Sequence, residues 1–137
     1  MPQFDSSQVK ALKDYLYYSN VHDAKIETFR YDRECRLLDI EAISSTHNFR
    51  INFTFEGVKL VLSVVGSDSG NQNTILSLTA EEDYSYLRNH TSAWAHNLDG
   101  ALYLLFQMFS GDELHVVSDK MFVEIKKFVS TGDGSAC

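Results

Sequence analysis

The pair His22-Asp23 combines an imidazole with a carboxylate, two groups that often move protons or bind metal ions in proteins. It lies where the predicted first helix gives way to the first predicted strand, at one end of a sheet. Adjacent strand residues point to opposite faces, so the two side chains would need a bulge to reach one substrate. We expect this possible polar site to be structural, with Asp23 accepting backbone N–H groups at the corner between helix and strand and His22 filling the junction.

The remaining histidines offer weaker chemistry. His90 and His96 are six residues apart, with Asp99 three residues further on, whereas zinc ligands on a helix are usually spaced by three or four residues. This spacing favours an ordinary polar loop, and we expect no metal site and no cofactor. His47 and His115 each stand alone among strand residues, and exposure or one hydrogen bond would account for them.

Serine and cysteine residues lack the sequence context that activates a nucleophile. The segment 66–70 is Gly-Ser-Asp-Ser-Gly, which leaves Ser67 and Ser69 out of the register of the Gly-x-Ser-x-Gly motif. Cys35 follows a charged turn and has no partner nearby in sequence. We therefore predict no catalytic residues.

The segment Glu81–Tyr86 mixes carboxylates with large amphipathic rings, and Trp94 follows it. Tyrosine and tryptophan are enriched at binding hot spots, and surrounding carboxylates would select a basic partner. The alternative is a capped helical turn whose acids favour its positive N-terminus and whose tyrosines enter the core. The predicted partner-binding residues are Glu81, Glu82, Asp83, Tyr84, Tyr86 and Trp94.

Negative charge is concentrated in one part of the chain. The formal net charge is −7, and residues 60–119 hold eight acids against one base, Arg88, while the rest holds eleven of each. This balance disfavours nucleic-acid binding, because phosphate contacts need clustered lysine and arginine. The charge could form an acidic face that speeds encounter with a basic partner, or it could be solubility charge scattered around the fold.

Hydrophobic periodicity predicts a helix at 5–19. Val9, Leu12 and Leu16 recur at helical spacing, with Asp5 as the cap and Gln8 three residues on. After this helix the pattern changes to alternation, which is typical of strands.

Strands are predicted at 21–31, 38–42, 51–56, 58–65, 74–80, 102–109, 114–117 and 121–128. The period alone would also allow a helix at 102–109, but the turn signal at 110–113 favours a strand. Ile51, Phe53 and Phe55 should share a buried face, and Gly57 should break this run or introduce a bulge into it. Residues 66–73 are predicted to form a loop, and 81–99 could be helix or loop. The predicted fold class is α+β, with the N-terminal helix packed on a mainly antiparallel sheet or sandwich of about seven strands.

The length of 137 residues fits a single domain, predicted at 1–129 with a flexible tail at 130–137. Cys35 and Cys137 lie far apart, the second in the tail, which favours a reduced protein. The sequence has no membrane-spanning apolar stretch and no signal-peptide pattern at its N-terminus. We expect a cytoplasmic protein that does not bind membranes.

Three segments resemble a known group of proteins. They are Tyr17–Ile26, which contains His-Asp-Ala-Lys-Ile, then Phe53–Val58, and then the stretch from Tyr103 to Val116. Over residues 15–125 the chain is similar to small uncharacterised bacterial β-rich proteins with a His-Asp-Ala-x-Ile segment. Some of these resemble immunity proteins of contact-dependent or polymorphic toxin systems. The resemblance implies a fold and supplies no catalytic residues. An immunity role would accord with the acidic half of the chain, because carboxylates can occupy the basic cleft of a nuclease toxin.

The leading hypothesis is a non-enzymatic cytoplasmic binding protein, in its most specific form an immunity protein that blocks a basic toxin. The alternative is a small enzyme or metal-dependent protein that uses His22 and Asp23, or the region of His90, His96 and Asp99. A basic protein is the expected partner, and the sequence gives no prediction of oligomeric state.

Overall fold

The computed structural model describes residues 3–19, 21–45, 48–64, 74–87 and 100–127. They form a mainly antiparallel sheet of seven strands with one short N-terminal helix. The elements in chain order are β1 (Gln3–Asp5), α1 (Val9–Tyr18), β2 (Lys25–Asp32), β3 (Leu37–Ser44), β4 (Phe49–Val64), β5 (Ile75–Glu81), β6 (Leu102–Met108) and β7 (Glu113–Lys127). The strand order is β2-β3-β4-β7-β6-β5, and β1 pairs with β7. Within the described ranges, no helix is both long and apolar enough to cross a membrane.

The start of the helical segment is fixed by the residues that the sequence indicates. The Asp5 carboxylate accepts the Ser7 N–H at 2.9 Å, and the Gln8 side chain accepts the Asp5 N–H at 3.1 Å. This capping box begins a single 3-10 turn that leads directly into α1. The predicted helix and its cap are confirmed, whereas the three-residue strand β1 before it was not predicted.

Strands β4 and β7 are each one long strand, whereas the sequence pattern predicts two strands in each place. The register between them shifts between Val58 and Leu60, so a bulge follows Gly57 and β4 does not end at this glycine. Gly57 has a φ of +66°, and a Cβ atom at this position would overlap the Asp119 carboxylate. Glycine therefore lets β4 bend and continue along β7.

The sheet curls until its two outer strands meet. Lys25 at the start of β2 bridges to Thr74, which directly precedes β5. The Asp23 N–H donates to the Ile75 carbonyl, and the Ile75 N–H donates to the Ala24 carbonyl, each at 2.8 Å. We call this junction the seam. It pairs segments that are about fifty residues apart in sequence, which local periodicity cannot predict.

The inner face of the curled sheet encloses the main core. Ile51, Phe53 and Phe55 are all fully buried there, as predicted. Phe106 of β6 meets the last two edge to face, with ring centroids 5.6 Å from Phe53 and 6.4 Å from Phe55. Helix α1 completes the core with Leu12 and Leu16, so its apolar stripe packs as the spacing indicates.

A second, smaller apolar cluster lies apart from the main core. We call it the outer cluster; its buried members are Leu87, Ala101, Tyr103 and Val117, and its partly buried members are Leu60, Leu62, Tyr84, Tyr86 and Leu105. Tyr103 of β6 and Val117 of β7 lie in the outer cluster, whereas their neighbours Leu104 and Val116 lie in the main core. Both strands are therefore covered on both faces.

Candidate functional site

The acidic segment, Glu81–Asp83, follows the end of β5. Glu81 is half-buried, whereas Glu82 and Asp83 are exposed. The Asp83 carboxylate accepts the Ser85 N–H at 2.9 Å, and residues 85–87 are helical. Asp83 therefore caps a helical turn, as one of the two interpretations of this sequence expects.

The two tyrosines after the acidic segment are turned toward the outer cluster. The Tyr84 hydroxyl donates to the Ala101 carbonyl, and its ring lies 5.4 Å from that of Tyr103. The Tyr86 ring stacks on the His115 imidazole, with centroids 4.8 Å apart and an interplanar angle of 6°. Both tyrosines are half-buried. The acidic segment therefore presents carboxylates to solvent, and the two tyrosines that follow it attach this part of the chain to the fold.

Beneath Tyr86 lies a chain of three polar residues: Glu113, which is half-buried, and His115 and Tyr103, which are buried. We call it the buried polar chain. The His115 Nε2 atom is 3.0 Å from Glu113 Oε1, and its Nδ1 atom is 2.6 Å from the Tyr103 hydroxyl. A carboxylate can only accept, so in the neutral imidazole Nε2–H donates to Glu113 and Nδ1 accepts the phenol proton. Burial, followed by the nearby Glu81 and Glu113 carboxylates, raises the pKa of Tyr103 well above its usual range.

The expectation that His115 needs only exposure or one hydrogen bond is wrong. It is 1% exposed, makes two hydrogen bonds and stacks on Tyr86. The available signal was its spacing of two from Glu113, which puts both residues on one face of a strand. A carboxylate, an imidazole and a phenol in series resemble a proton relay, but Tyr103 is only 3% exposed. Because Tyr103 is closed off from solvent, the role we assign to the buried polar chain is structural. It connects β6 to β7 and supports Tyr86.

His22 and Asp23 meet at the seam. The expectation that they point to opposite faces is wrong because both precede β2, and Asp23 adopts a left-handed backbone with a φ of 74°. The His22 Nε2 atom is 3.3 Å from Asp23 Oδ1, and its Nδ1 atom is 2.6 Å from the Leu76 carbonyl oxygen. The imidazole thus contacts β5, and the Asp23 backbone, through its N–H, joins the two edges of the sheet.

Several predicted residues lie outside the described residues: Trp94, His47, His90, His96, Asp99, Ser67, Ser69 and Cys137. The predicted loop at 66–73 and the predicted tail at 130–137 lie outside them as well. In the described part, no three His, Cys, Asp or Glu side chains are grouped as metal ligands.

A groove separates α1 from the acidic segment. Its volume is about 560 Å³, and its lining residues are Lys13, Leu16, Tyr17, Leu78, Thr79, Ala80, Glu81, Glu82 and Asp83. Lys13 donates to Glu82 Oε1 at 2.8 Å, and this hydrogen bond raises the pKa of Lys13. The groove therefore combines apolar side chains with three carboxylates and one internal ammonium group.

The exposed aromatic side chains near the groove come from α1 and were not among the predicted site residues. Tyr17 is 79% exposed and Tyr18 is 77% exposed, and their rings meet edge to face with centroids 5.0 Å apart. Both tyrosines lie off the helical stripe that contains Leu12 and Leu16. That position was the signal that could have identified them as surface residues.

The described surface thus offers an acidic segment on a fixed support, beside a groove with an exposed ring. No protein-family model matches this sequence, and no curated protein matches it either.

Proposed function

We propose that the protein is a non-enzymatic binding protein that contacts a basic protein partner through the acidic segment. The observation that carries the proposal is the contrast within one stretch of chain. The Glu82 and Asp83 side chains are exposed, while Tyr84 and Tyr86 pack into the outer cluster. A segment already ordered in the free protein loses less conformational entropy on binding, so more of its interaction energy contributes to affinity.

The charge distribution supports the same partner chemistry. Residues 60–119 carry eight acids and one base, and the acidic segment contributes three of those acids. Acidic side chains gathered on one face would attract a basic protein before contact and orient it during encounter, which would raise the association rate. The attraction extends over roughly one Debye length, about 8 Å at physiological salt, so it weakens as salt is added.

Within this proposal, the most specific form is a cytoplasmic immunity protein. Its partner would be a basic toxin, and a nuclease fits best because its cleft must attract phosphate groups. Carboxylates placed in that cleft would compete with nucleic acid for the same lysine and arginine side chains. The support is the His-Asp-Ala-Lys-Ile segment at residues 22–26 and the surplus of acidic side chains.

The proposal is tested by capture with matched charge variants. The full-length protein is immobilised, and basic proteins are captured from the cell extract or from a candidate toxin preparation. E82K/D83K should lose the captured protein. E27K/E34K, which makes the same change in net charge at two exposed residues of β2 and its turn, should retain most of it.

A partner that E82K/D83K and E27K/E34K capture equally well would contradict a specific role for the acidic segment. A captured partner that is itself acidic would contradict the proposed class of partner. Circular dichroism of both variants checks that the fold persists, because D83K also removes the Asp83 cap of the helical turn at 85–87. E82K alone leaves that cap in place and should also weaken capture.

A further inference from the structure

We infer that the groove between α1 and the acidic segment receives a lysine or arginine side chain of the partner, and that Lys13 holds this position in the free protein. The inference rests on the proposed function and specifies where and how the basic partner binds. It commits the groove to one occupant, a cationic side chain of another protein.

The groove has the mixed chemistry that such a side chain requires. Leu16, Leu78 and Ala80 supply apolar lining, and the acidic segment supplies three carboxylates. Lysine and arginine bury their methylene stems against apolar surface while their charged ends stay with polar groups. A volume of about 560 Å³ is large enough for one such side chain.

Lys13 already makes the interaction that the partner would make. Its Nζ atom lies 2.8 Å from Glu82 Oε1, and the two side chains are 46% and 69% exposed. An ion pair this exposed is screened by water and adds little to folding stability, so it can exchange with an incoming cation. Lys13 is therefore an internal competitor, and its removal should strengthen binding of the partner.

Tyr17 supplies the aromatic contact at the same groove. Tyr17 is 79% exposed and lines the groove together with the carboxylates, whereas Tyr84 and Tyr86 pack in the outer cluster. A cation over the face of a tyrosine ring is attracted by the ring quadrupole. Tyr17 can thus stack on the partner side chain while Glu82 or Asp83 pairs with its charge.

The test uses a capped pentalysine peptide as the probe and the isotope-labelled full-length protein, observed by NMR. The peptide should perturb amide signals of Lys13, Tyr17 and residues 78–83. K13M should bind the peptide roughly two- to five-fold more tightly than the unaltered protein. K10M removes the same charge from the same helix, but Lys10 does not line the groove, so this control should change affinity less.

A second pair of variants tests the aromatic contact. Y17A should weaken peptide binding several-fold, while Y18A, which removes the neighbouring exposed ring outside the groove, should not. Equal effects of K13M and K10M, equal effects of Y17A and Y18A, or an absence of perturbed signals at the groove would each overturn the inference.

The outcomes separate this inference from the proposed function. If a basic protein is captured and E82K/D83K abolishes its binding, while K13M and Y17A leave that binding unchanged, the groove is wrong and the proposed function stands. If the peptide binds the groove as expected but no basic protein depends on the acidic segment, the groove stands and the proposed function is wrong.

Discussion

Tyr86 lies parallel to the imidazole of His115, with 4.8 Å between the ring centroids and 6° between the ring planes. His115, on β7, is in turn hydrogen-bonded to Glu113 of the same strand and to Tyr103 of β6. The stretch that follows the acidic segment therefore rests on a buried polar chain. The exposed carboxylates and this internal network belong to one structural unit.

Removing the Tyr103 hydroxyl should destabilise the fold. Tyr103→Phe keeps the ring in the outer cluster but leaves His115 Nδ1 without its hydrogen-bond partner, which should cost about 1 to 3 kcal/mol. Chemical denaturation measures this loss. Tyr31→Phe, at a ring that is 36% exposed, is the control and should change stability by less than about 0.5 kcal/mol. Equal effects of the two variants would contradict the structural role of the buried chain.

The Tyr103 hydroxyl should also make the unfolding free energy depend on pH in the alkaline range. The pKa of Tyr103 is raised in the folded protein, so the folded state keeps this proton after the unfolded chain has lost it. Its contribution is complete below the unfolded pKa of about 10 and is lost as pH rises toward the higher folded value. Unfolding free energy measured above pH 10 should therefore fall more steeply for the unaltered protein than for Tyr103→Phe. Parallel curves would show that Tyr103 titrates alike in both states.

Truncating Phe53 tests the predicted inner face. The side chain is fully buried against Phe106, so Phe53→Ala should lower the unfolding free energy by about 3 to 5 kcal/mol. Phe29→Ala removes the same ring from a site that is 46% exposed, and its loss should be much smaller. A loss below about 1 kcal/mol for Phe53→Ala would place this ring outside the core.

The bulge in β4 predicts different costs for two glycine substitutions. Gly57 and Gly100 both have positive φ, at +66° and +80°, so alanine should cost about 1 to 2 kcal/mol at each through backbone strain. Only at Gly57 would the new Cβ also overlap Asp119. Gly57→Ala should therefore destabilise the protein more than Gly100→Ala. Adding Asp119→Ala to Gly57→Ala removes the overlapping carboxylate, so it should bring the loss of stability closer to that of Gly100→Ala. Equal losses in thermal unfolding would exclude the overlap as a cause.

Much of the sheet was predictable because apolar and polar residues alternate along its strands with a period of two. The fully buried set of Ile51, Phe53 and Phe55 follows from that alternation, and the helix follows from its cap and stripe. The continuity of β4 was not predictable from the local pattern, because a glycine at position 57 is compatible both with a bulge and with the end of a strand. The seam depends on hydrogen bonds between distant segments, which periodicity does not report.

The candidate site was predicted only in part, because it also depends on contacts between segments that are distant in sequence. Composition identified the acidic segment, but residue type alone could not say whether Tyr84 and Tyr86 face solvent or the fold. Tyr84 contacts Tyr103 on β6 and Tyr86 contacts His115 on β7, so their orientation depends on strands that are distant in sequence. The groove needs α1 beside β5, so Tyr17 could be recognised as a surface residue but not as part of a site.

The most direct test of the proposed function is the association rate of the captured partner, measured at low and at high ionic strength. The unaltered protein should associate faster at low salt, by roughly tenfold or more, because long-range attraction guides the encounter. E82K/D83K should slow association and flatten this salt dependence much more than E27K/E34K does. An association rate that responds neither to salt nor to E82K/D83K would contradict binding through the acidic segment.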